Sequence, residues 1–343
     1  MKIEFINPID GPEWDHLLRT ADNASFFHSS AWARVLSETY GYKPLYGAIP
    51  VNGKLTGFLP VMEIKSLLTG KRGVSLPFTD ICEPVAEDRR TFEALLEGAA
   101  AYGREAGWRH LELRGGDAFL NDAPASAKHL GHTLQLSSDV DEVSAKFKPN
   151  IRRNIRKAEK AGVNVAIERS LESLSLFYRM HCGTRRYHGL PPQPWSFFQN
   201  IHRHVIAAGN GFVVLARHQN RCIAGAVYAR WRDQAIYKYG ASDRSWQHLR
   251  PNNLVMWEAI RWCCRNGIRF FCFGRTEPNN EGLAHFKRSW GSAERGICYF
   301  KLDLYANTFI SPAAQSKSSY GIFRHMPESV LRMVGAILYR HVG

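Results

Sequence analysis

Residues 272–291, CFGRTEPNNEGLAHFKRSWG, set a lysine beside an aromatic in a place suited to chemistry. The pattern predicts a strand ending in Gly274, a polar loop, and a short helix presenting His285, Phe286, Lys287 and Trp290. Ligands of α/β sheets bind in the crevice beyond the carboxyl ends of strands. An ammonium held there beside an aromatic can stabilise a developing oxyanion or hold a phosphate. The plainer alternative is a surface Lys287 on an amphipathic turn, with Phe286 and Trp290 (i, i+4) as core anchors. The residues alone favour the plainer alternative.

Other machineries lack their parts. The chain contains no GxxxxGK[ST], no GxGxxG after a strand, no HExxH and no GxSxG. Its seven cysteines (82, 182, 222, 263, 264, 272 and 298) form no CxxC pair and no Cys/His spacing suited to zinc. Buried free thiols of a reducing compartment are the expectation, and no metal site is expected.

The elements that must position Lys287 come from a duplicated unit. GAIPVNGKLTGFL (47–59) and LARHQNRCIAGAV (215–227) align with Asn52 on Asn220, Leu55 on Ile223, Gly57 on Gly225 and Leu59 on Val227. Each copy reads as strand, polar turn and strand, the signature of a β-hairpin. EAGWRHLELRGG (105–116) and RNGIRFFCFGRT (265–276) agree again: a helix-ending Gly, an Arg two residues later, then an alternating strand running into Gly. The offsets, 168 and 160 residues, fit one duplicated unit with a different loop length. At 343 residues two domains are expected in any case. Two similar α/β domains commonly place a site between them, and this one is expected to be asymmetric. Only the second copy leads into a Phe-Lys pair; the first runs from Gly115 into DAFLNDAPASAKHLG.

Helices are predicted over 29–40, 91–107, 146–162, 171–187, 195–208 and 253–266. Strands are predicted at 110–113, 132–136, 163–168, 235–241, 269–273 and 297–304. Helices alternating with strands that include hairpins indicate a mixed α/β sheet rather than a doubly wound one. The expected boundaries are 1–140, 141–310 and a tail, 311–343, with an amphipathic helix over 326–342.

Forty-five Lys and Arg against 31 Asp and Glu give a formal charge of +14, which favours anionic partners. Residues 146–160 concentrate seven of these cations against one acid, Glu159, around an apolar stripe of Phe147, Ile151, Ile155 and Ala158. That helix reads either as a solvated face or as an anion-binding one. The tail helix reads as packed on the body or as lying on a membrane surface. No run approaches the ~20 apolar residues that span a bilayer. The N-terminus lacks a basic start and an apolar core, so a cytoplasmic protein is expected, with contact at the inner face of the plasma membrane as a further expectation. The oligomeric state is open.

An ordered set of short strings resembles the Fem-type (FemABX-like) transferases. They are Ser-x-x-Trp-Ala-Arg-Val, Ile-Arg-Arg-Asn-Ile-Arg-Lys-Ala, Arg-Arg-Tyr-His-Gly-Leu before a Pro-rich turn, Tyr-Lys-Tyr-Gly-Ala-Ser, Phe-Gly-Arg and Phe-Lys-x-x-Trp-Gly. The match runs over about residues 25–304. The resemblance extends to acetyltransferase-like proteins of exopolysaccharide gene clusters. It implies an α/β fold of two tandem acetyltransferase-like (GNAT) domains with mixed, largely antiparallel sheets. It also implies amide-bond formation between an activated donor and an amine of a cell-envelope precursor, either a peptidoglycan peptide or a polysaccharide amino sugar.

By position, the resemblance implies Lys287 with Phe286 as the catalytic pair, and Arg34 as a cation on the acceptor's phosphates. Tyr187 fills the place of a second such cation, with Arg185 and Arg186 just before it as substitutes, and Tyr239 lines the acceptor site. The donor is aminoacyl-tRNA or acyl-CoA, used as a substrate, with no permanent cofactor. Its expected contacts are Arg250, Asn252, Asn253 and the basic-helix residues Arg152, Arg153 and Arg156. CoA-binding turns use Gly at a helix N-terminus. The segment WQHLRPNNLVMW (246–257) has none, which counts against CoA. His285, Asp243 and Tyr239 are the candidate general bases, although an amine attacking an activated ester needs little beyond placement. A non-catalytic protein binding tRNA, anionic polysaccharide or membrane is the alternative from another class.

Overall fold

Alternating apolar residues and tight turns build the β-strands, which helices cross. The computed structural model describes residues 3–11, 13–21, 23–51, 54–311 and 321–343. The chain divides into one unit of residues 1–129, 296–317 and 337–343, and a second of 130–295 and 318–336.

The first stretch of chain supplies β1 (Glu4–Ile6), α1 (Glu13–Leu18), α2 (Ser30–Tyr40), β2 (Lys43–Val51), β3 (Lys54–Ser66) and β4 (Gly70–Val74). β5 (Val85–Ala86), α3 (Arg89–Glu105) and β6 (His110–Arg114) follow. Next come β7 (Ala127–Gln135), α4 (Val140–Ala145), α5 (Pro149–Lys160), β8 (Asn164–Glu168), α6 (Leu171–Tyr187) and α7 (Trp195–Ile201). The hairpin β9 (Gly211–His218) and β10 (Arg221–Trp231) leads to β11 (Gln234–Ser242), α8 (Pro251–Arg265), β12 (Phe270–Thr276) and α9 (Glu281–Arg288). The chain closes with β13 (Ala293–Asp303), β14 (Thr308–Phe309), α10 (Gly321–His325) and α11 (Glu328–Val342).

In the first unit the strands run β1-β2-β3-β4-β6, and residues 299–303 of β13 add antiparallel to β6. In the second they run β7-β12-β11-β10-β9-β8. Each unit has one parallel pair bridged by a crossover helix: β4 and β6 by α3, β11 and β12 by α8. The other registered pairs of described residues within the units are antiparallel, as the expected mixed sheets require.

The duplicated hairpins share one plan but differ by one residue between turn and glycine: β2–β3 closes on Val51 and Lys54, β9–β10 on His218 and Arg221. Gly57 faces Ile49 and Gly225 faces Leu215, and each ladder shifts once between its glycine and its turn. A Cβ at Gly57 would press on Thr91 and Leu95 of α3, so a helix lying close on the strand keeps that glycine; one at Gly225 would press on Leu215 and the Val214 carbonyl of the neighbouring strand β9. Gln219 and Asn220 take positive φ (50° and 61°), as a two-residue hairpin turn demands. The matching turn at 52–53 lies outside the described residues.

The boundaries differ from the contiguous ones expected. The strand at 297–304 pairs with β6 and so joins the first unit, whereas residues 130–135 of β7 pair with β12 and join the second. Local pattern reads strands but not their partners, so the exchange was invisible to it. Nor is the tail separate, for residues 318–336 and 337–343 divide between the two units. The basic helix is shorter than expected, because Pro149 starts α5 at its first position after the separate α4.

Each unit has its own core. Phe92, Leu95, Trp108, Leu111 and Phe300 fill the first. In the second, Phe147, Ile151 and Ile155 of α4–α5 meet Ile260, Phe271, Phe273 and Trp290.

Candidate active site in the second unit

Strands β11 and β12 are registered only over Gln234–Ile236 and Phe270–Cys272. β11 then continues to Ser242 and β12 to Thr276, so their carboxyl ends part. A cavity of about 960 Å³ opens there, and every residue lining it belongs to the second unit. Its walls come from α6 (Arg179, Gly183, Tyr187, His188), the end of β11 and the turn after it (Gly240–Arg244), the start of α8, and Phe286 of α9.

Two bulges shape the parting. In β11 Lys238 is the extra residue, since Val227 faces Tyr239 while Tyr228 faces Tyr237. Tyr237 therefore lies on the α8 side and lines the cavity. Tyr239 turns to the other face, against His181, Phe197 and Phe198. A bulge re-aims neighbouring side chains in this way. Gly240 is required beside it, because a Cβ there would collide with the Tyr237 hydroxyl. Burial pushes the Tyr237 phenol up to about 12, so it stays protonated at neutral pH.

The second bulge is in β12, where Cys272 faces Thr133 and Arg275 faces Gly131, with Gly274 at φ 71°. Lys287 is buried, and its Nζ donates to the carbonyls of Gly274 (2.9 Å) and Arg275 (3.0 Å). The lysine thus satisfies carbonyls at the bulge and pins it. Lys287 does not line the cavity; its neighbour Phe286 does, while packing edge-on to the buried Trp290 at 6.0 Å. Phe286 and Trp290 anchor the core, as the plainer alternative expects, but Lys287 is buried rather than on the surface.

Beside the lysine, His132 is buried with Nε2 2.9 Å from Glu294, a carboxylate that also receives Arg288 at 2.9 Å. Burial first, then the Lys287 charge, lowers the His132 pKa.

The rim is cationic. Arg179, Arg221, Arg244 and Arg250 line it, against the single carboxylate of Asp243. Hydrogen bonds from Ser245 hold the Asp243 carboxyl below its usual range, and Arg221, at 3.0 Å, adds to this. Asp243 is therefore a fixed anion, a poor proton acceptor. His188 also lines the cavity; burial and the charges of Arg185, Arg324 and Arg244 lower its pKa, leaving a neutral imidazole at neutral pH. His285 is exposed and lines nothing here.

α8 points its N-terminus into this space. Arg250 is its N-cap, in the left-handed conformation at φ 61°, ψ 37°, and offers no side-chain cap. Arginine here opens the helix in a left-handed conformation that favours glycine, at a strain of about 1–2 kcal/mol. Asn252 reaches Ser242 Oγ at 3.2 Å. Asn253 is 6% exposed, lines the cavity, and its Nδ2 has no partner among the described residues. A buried donor left unpaired beside a helix N-terminus suits an anionic acceptor from outside the protein.

The remaining expected residues scatter. Arg34 belongs to the first unit, where its Nη2 donates to the Ile9 carbonyl at 2.5 Å. Arg185 donates to the Pro191 carbonyl, and Arg186 to that of Arg324, beside a smaller hollow of about 300 Å³. Neither lines the main cavity. The cation expected near Tyr187 comes instead from Arg244, stacked 3.7 Å from that ring. Arg152, Arg153 and Arg156 lie on the outer faces of α5, which sends only Asn154 to the cavity. Arg179 and His188 were missed. The four-residue period through Arg179, Gly183 and Tyr187, with Thr184 and His188 alongside, could have found them.

Residues 145–288, all within the second unit, match the acetyltransferase (GNAT) domain family. The whole chain has the tandem fold of FemABX-like GNAT proteins. It is similar to the crystal structure of FemX (TM-score 0.69, 15% identity, covering 87% of this chain and 96% of that one). It is also similar to a tandem GNAT protein from the clavulanic acid biosynthesis pathway (TM-score 0.58, 11% identity, 88% and 99%). L-PGS from Bacillus licheniformis shares the fold too (TM-score 0.54, 12% identity, 97% and 98%). No curated protein sequence matches the chain.

Proposed function

We propose that the protein is an N-acyltransferase that takes an acyl or aminoacyl group from a polyanionic donor seated in the second unit's cavity. The group passes to an amine of a cell-envelope precursor, a peptidoglycan peptide or a polysaccharide amino sugar. One observation carries this reading. In a GNAT domain, an uncapped helix N-terminus and the unpaired Asn253 Nδ2 open into a space rimmed by four arginines.

The donor's phosphates lie at α8 and its carbonyl at the gap between β11 and β12. The carboxyl end of β11, Gly240–Ser242, lines the cavity where it parts from β12, and its backbone groups hold the acyl chain. The amine attacks the carbonyl, negative charge builds on the oxygen, and the thiolate or the tRNA hydroxyl leaves with the donor. The buried Lys287 ammonium fixes the bulge at the end of β12 and compensates that charge from behind the cavity wall. His188, neutral and in the cavity, accepts the amine's proton. Both acyl-CoA and aminoacyl-tRNA are polyanions that suit the cationic rim, and the outer cations of α5 suit the longer of the two. Arg34 remains the proposed acceptor contact of the first unit.

The test is to incubate the purified protein with a charged tRNA pool and, separately, with acyl-CoAs, each with an amine-bearing envelope precursor. Acceptor-dependent discharge of one donor is expected, and it names that donor. Salt-sensitive binding of either donor without discharge would instead support the non-catalytic reading.

A further inference from the structure

The tip of the β3–β4 hairpin, Ser66-Leu67-Leu68-Thr69, presents leucines where turns normally carry polar residues. Leu67 is 100% exposed and Leu68 69%. The tip is nevertheless well held. Ser66 Oγ accepts from the Leu68 N–H (3.1 Å) and the Thr69 N–H (2.9 Å). Thr69 Oγ1 donates to the His341 carbonyl at 3.2 Å, and Arg72 bonds both the Thr69 hydroxyl and that same carbonyl. His341 Nδ1 lies 3.1 Å from Ser66 Oγ. The last turn of α11 is thereby fixed to the tip, bringing the exposed Val342 and, one turn before His341, the exposed Ile337.

Cations surround the leucines. Lys65 and Lys71 are cross-strand partners directly below the turn. Like charges so placed repel, and both stay exposed, Lys65 Nζ beside Glu63 and Lys71 Nζ donating to the Ala106 carbonyl at 3.1 Å. Arg109 lies against Gly70, and Arg340 is exposed on α11. The acid in contact is Glu63, itself buried, which receives Trp108 Nε1 at 2.8 Å and Lys65 Nζ at 3.3 Å.

We propose that this hairpin tip is a membrane-contact element, seating Leu67 and Leu68 among the acyl chains of an anionic bilayer with Lys65, Lys71 and Arg109 at the phosphates. Two leucines on a narrow turn suit insertion, whereas a stable protein interface needs about 800 Å² from each partner. The cations complement anionic headgroups and add about 1 kcal/mol each near such a surface. The inference is independent of the donor.

Flotation of the full chain with vesicles of phosphatidylcholine and phosphatidylglycerol, against phosphatidylcholine alone, tests it. The wild type should float with the anionic vesicles. L67S/L68S should lower partitioning about 100-fold, since each leucine contributes roughly 1.5 kcal/mol or more on burial. K65Q/K71Q should lower it about 30-fold, and on anionic vesicles only. L171S, altering another exposed leucine on α6, should float like the wild type, and unchanged melting temperatures would show that the variants fold. A wild type that stays off anionic vesicles, or L67S/L68S that floats undiminished, overturns the proposal. So does loss of a solution dimer, rather than of vesicle binding, in L67S/L68S.

Discussion

Helices α3 and α8 hold equivalent places, each crossing between the parallel strands of its unit, yet they begin in opposite ways. α3 starts behind Asp88, whose carboxylate accepts the Thr91 N–H at 2.7 Å. An anion built into the chain already occupies that helix end. α8 starts behind Arg250, with no side-chain cap, an unpaired Asn253 and a cavity. In the proposed function that end receives the donor's phosphates. The two copies thus differ at one terminus: α3 is closed by its own carboxylate, and α8 has no side-chain cap.

Variants can break that contrast. The largest effect is expected from Lys287→Met, which leaves the Gly274 and Arg275 carbonyls unsatisfied and removes the buried charge. Turnover should fall by 100-fold or more, with about 1–3 kcal/mol lost in denaturant unfolding. Lys287→Arg, keeping the charge, should recover part of the rate. Full activity in Lys287→Met would remove the lysine from the mechanism.

Arg250→Glu should raise the donor's KM roughly 30-fold or more with kcat little changed, since it places a carboxylate where phosphates are expected. Arg250→Gly separates charge from geometry: about 1 kcal/mol more stable, because the left-handed turn is relaxed, yet still weak for the donor. Asn253→Asp should act like Arg250→Glu, about 10-fold in KM. On the closed side, Asp88→Ala should cost about 1 kcal/mol of stability and leave donor KM unchanged. A donor effect from Asp88→Ala would erase the distinction between the helices.

The smallest expected effect is on pH dependence, and it spans both units. Burial lowers His28 of the first unit to about 4 and His181 of the second to about 3, from 6.5. These imidazoles are neutral when folded, and the unfolded chain takes up protons first as pH falls. Stability is therefore full above pH 6.5 and declines between 6.5 and about 4, visible as a falling Tm in thermal scans. His28→Gln or His181→Gln should flatten part of that decline.

Much of the contrast was legible beforehand. The glycines at 57 and 225, the capped ends at Gly107 and Gly267, and the parallel course of the two copies follow from local pattern and turn chemistry. Pairing was not legible. β13 and β7 each show strand alternation, but neither pattern names its neighbour, so the exchange of strands between units escaped. The site was half legible. Phe286, Asn253 and Tyr187 do line the cavity, but the Lys238 bulge reverses Tyr239, and helical phase selects Arg179 over Arg185 and Arg186. A bulge and an arginine willing to sit at φ 61° leave no mark in composition.

Hydrogen exchange read at the two helix starts tests the account most directly. Coenzyme A and, separately, a charged tRNA are added, and peptides covering 86–95 and 242–256 are followed. Protection at 242–256 by at least one donor, lost in Arg250→Glu, with no change at 86–95, is the predicted result. Protection at 86–95, or none at either helix with both donors, would contradict it.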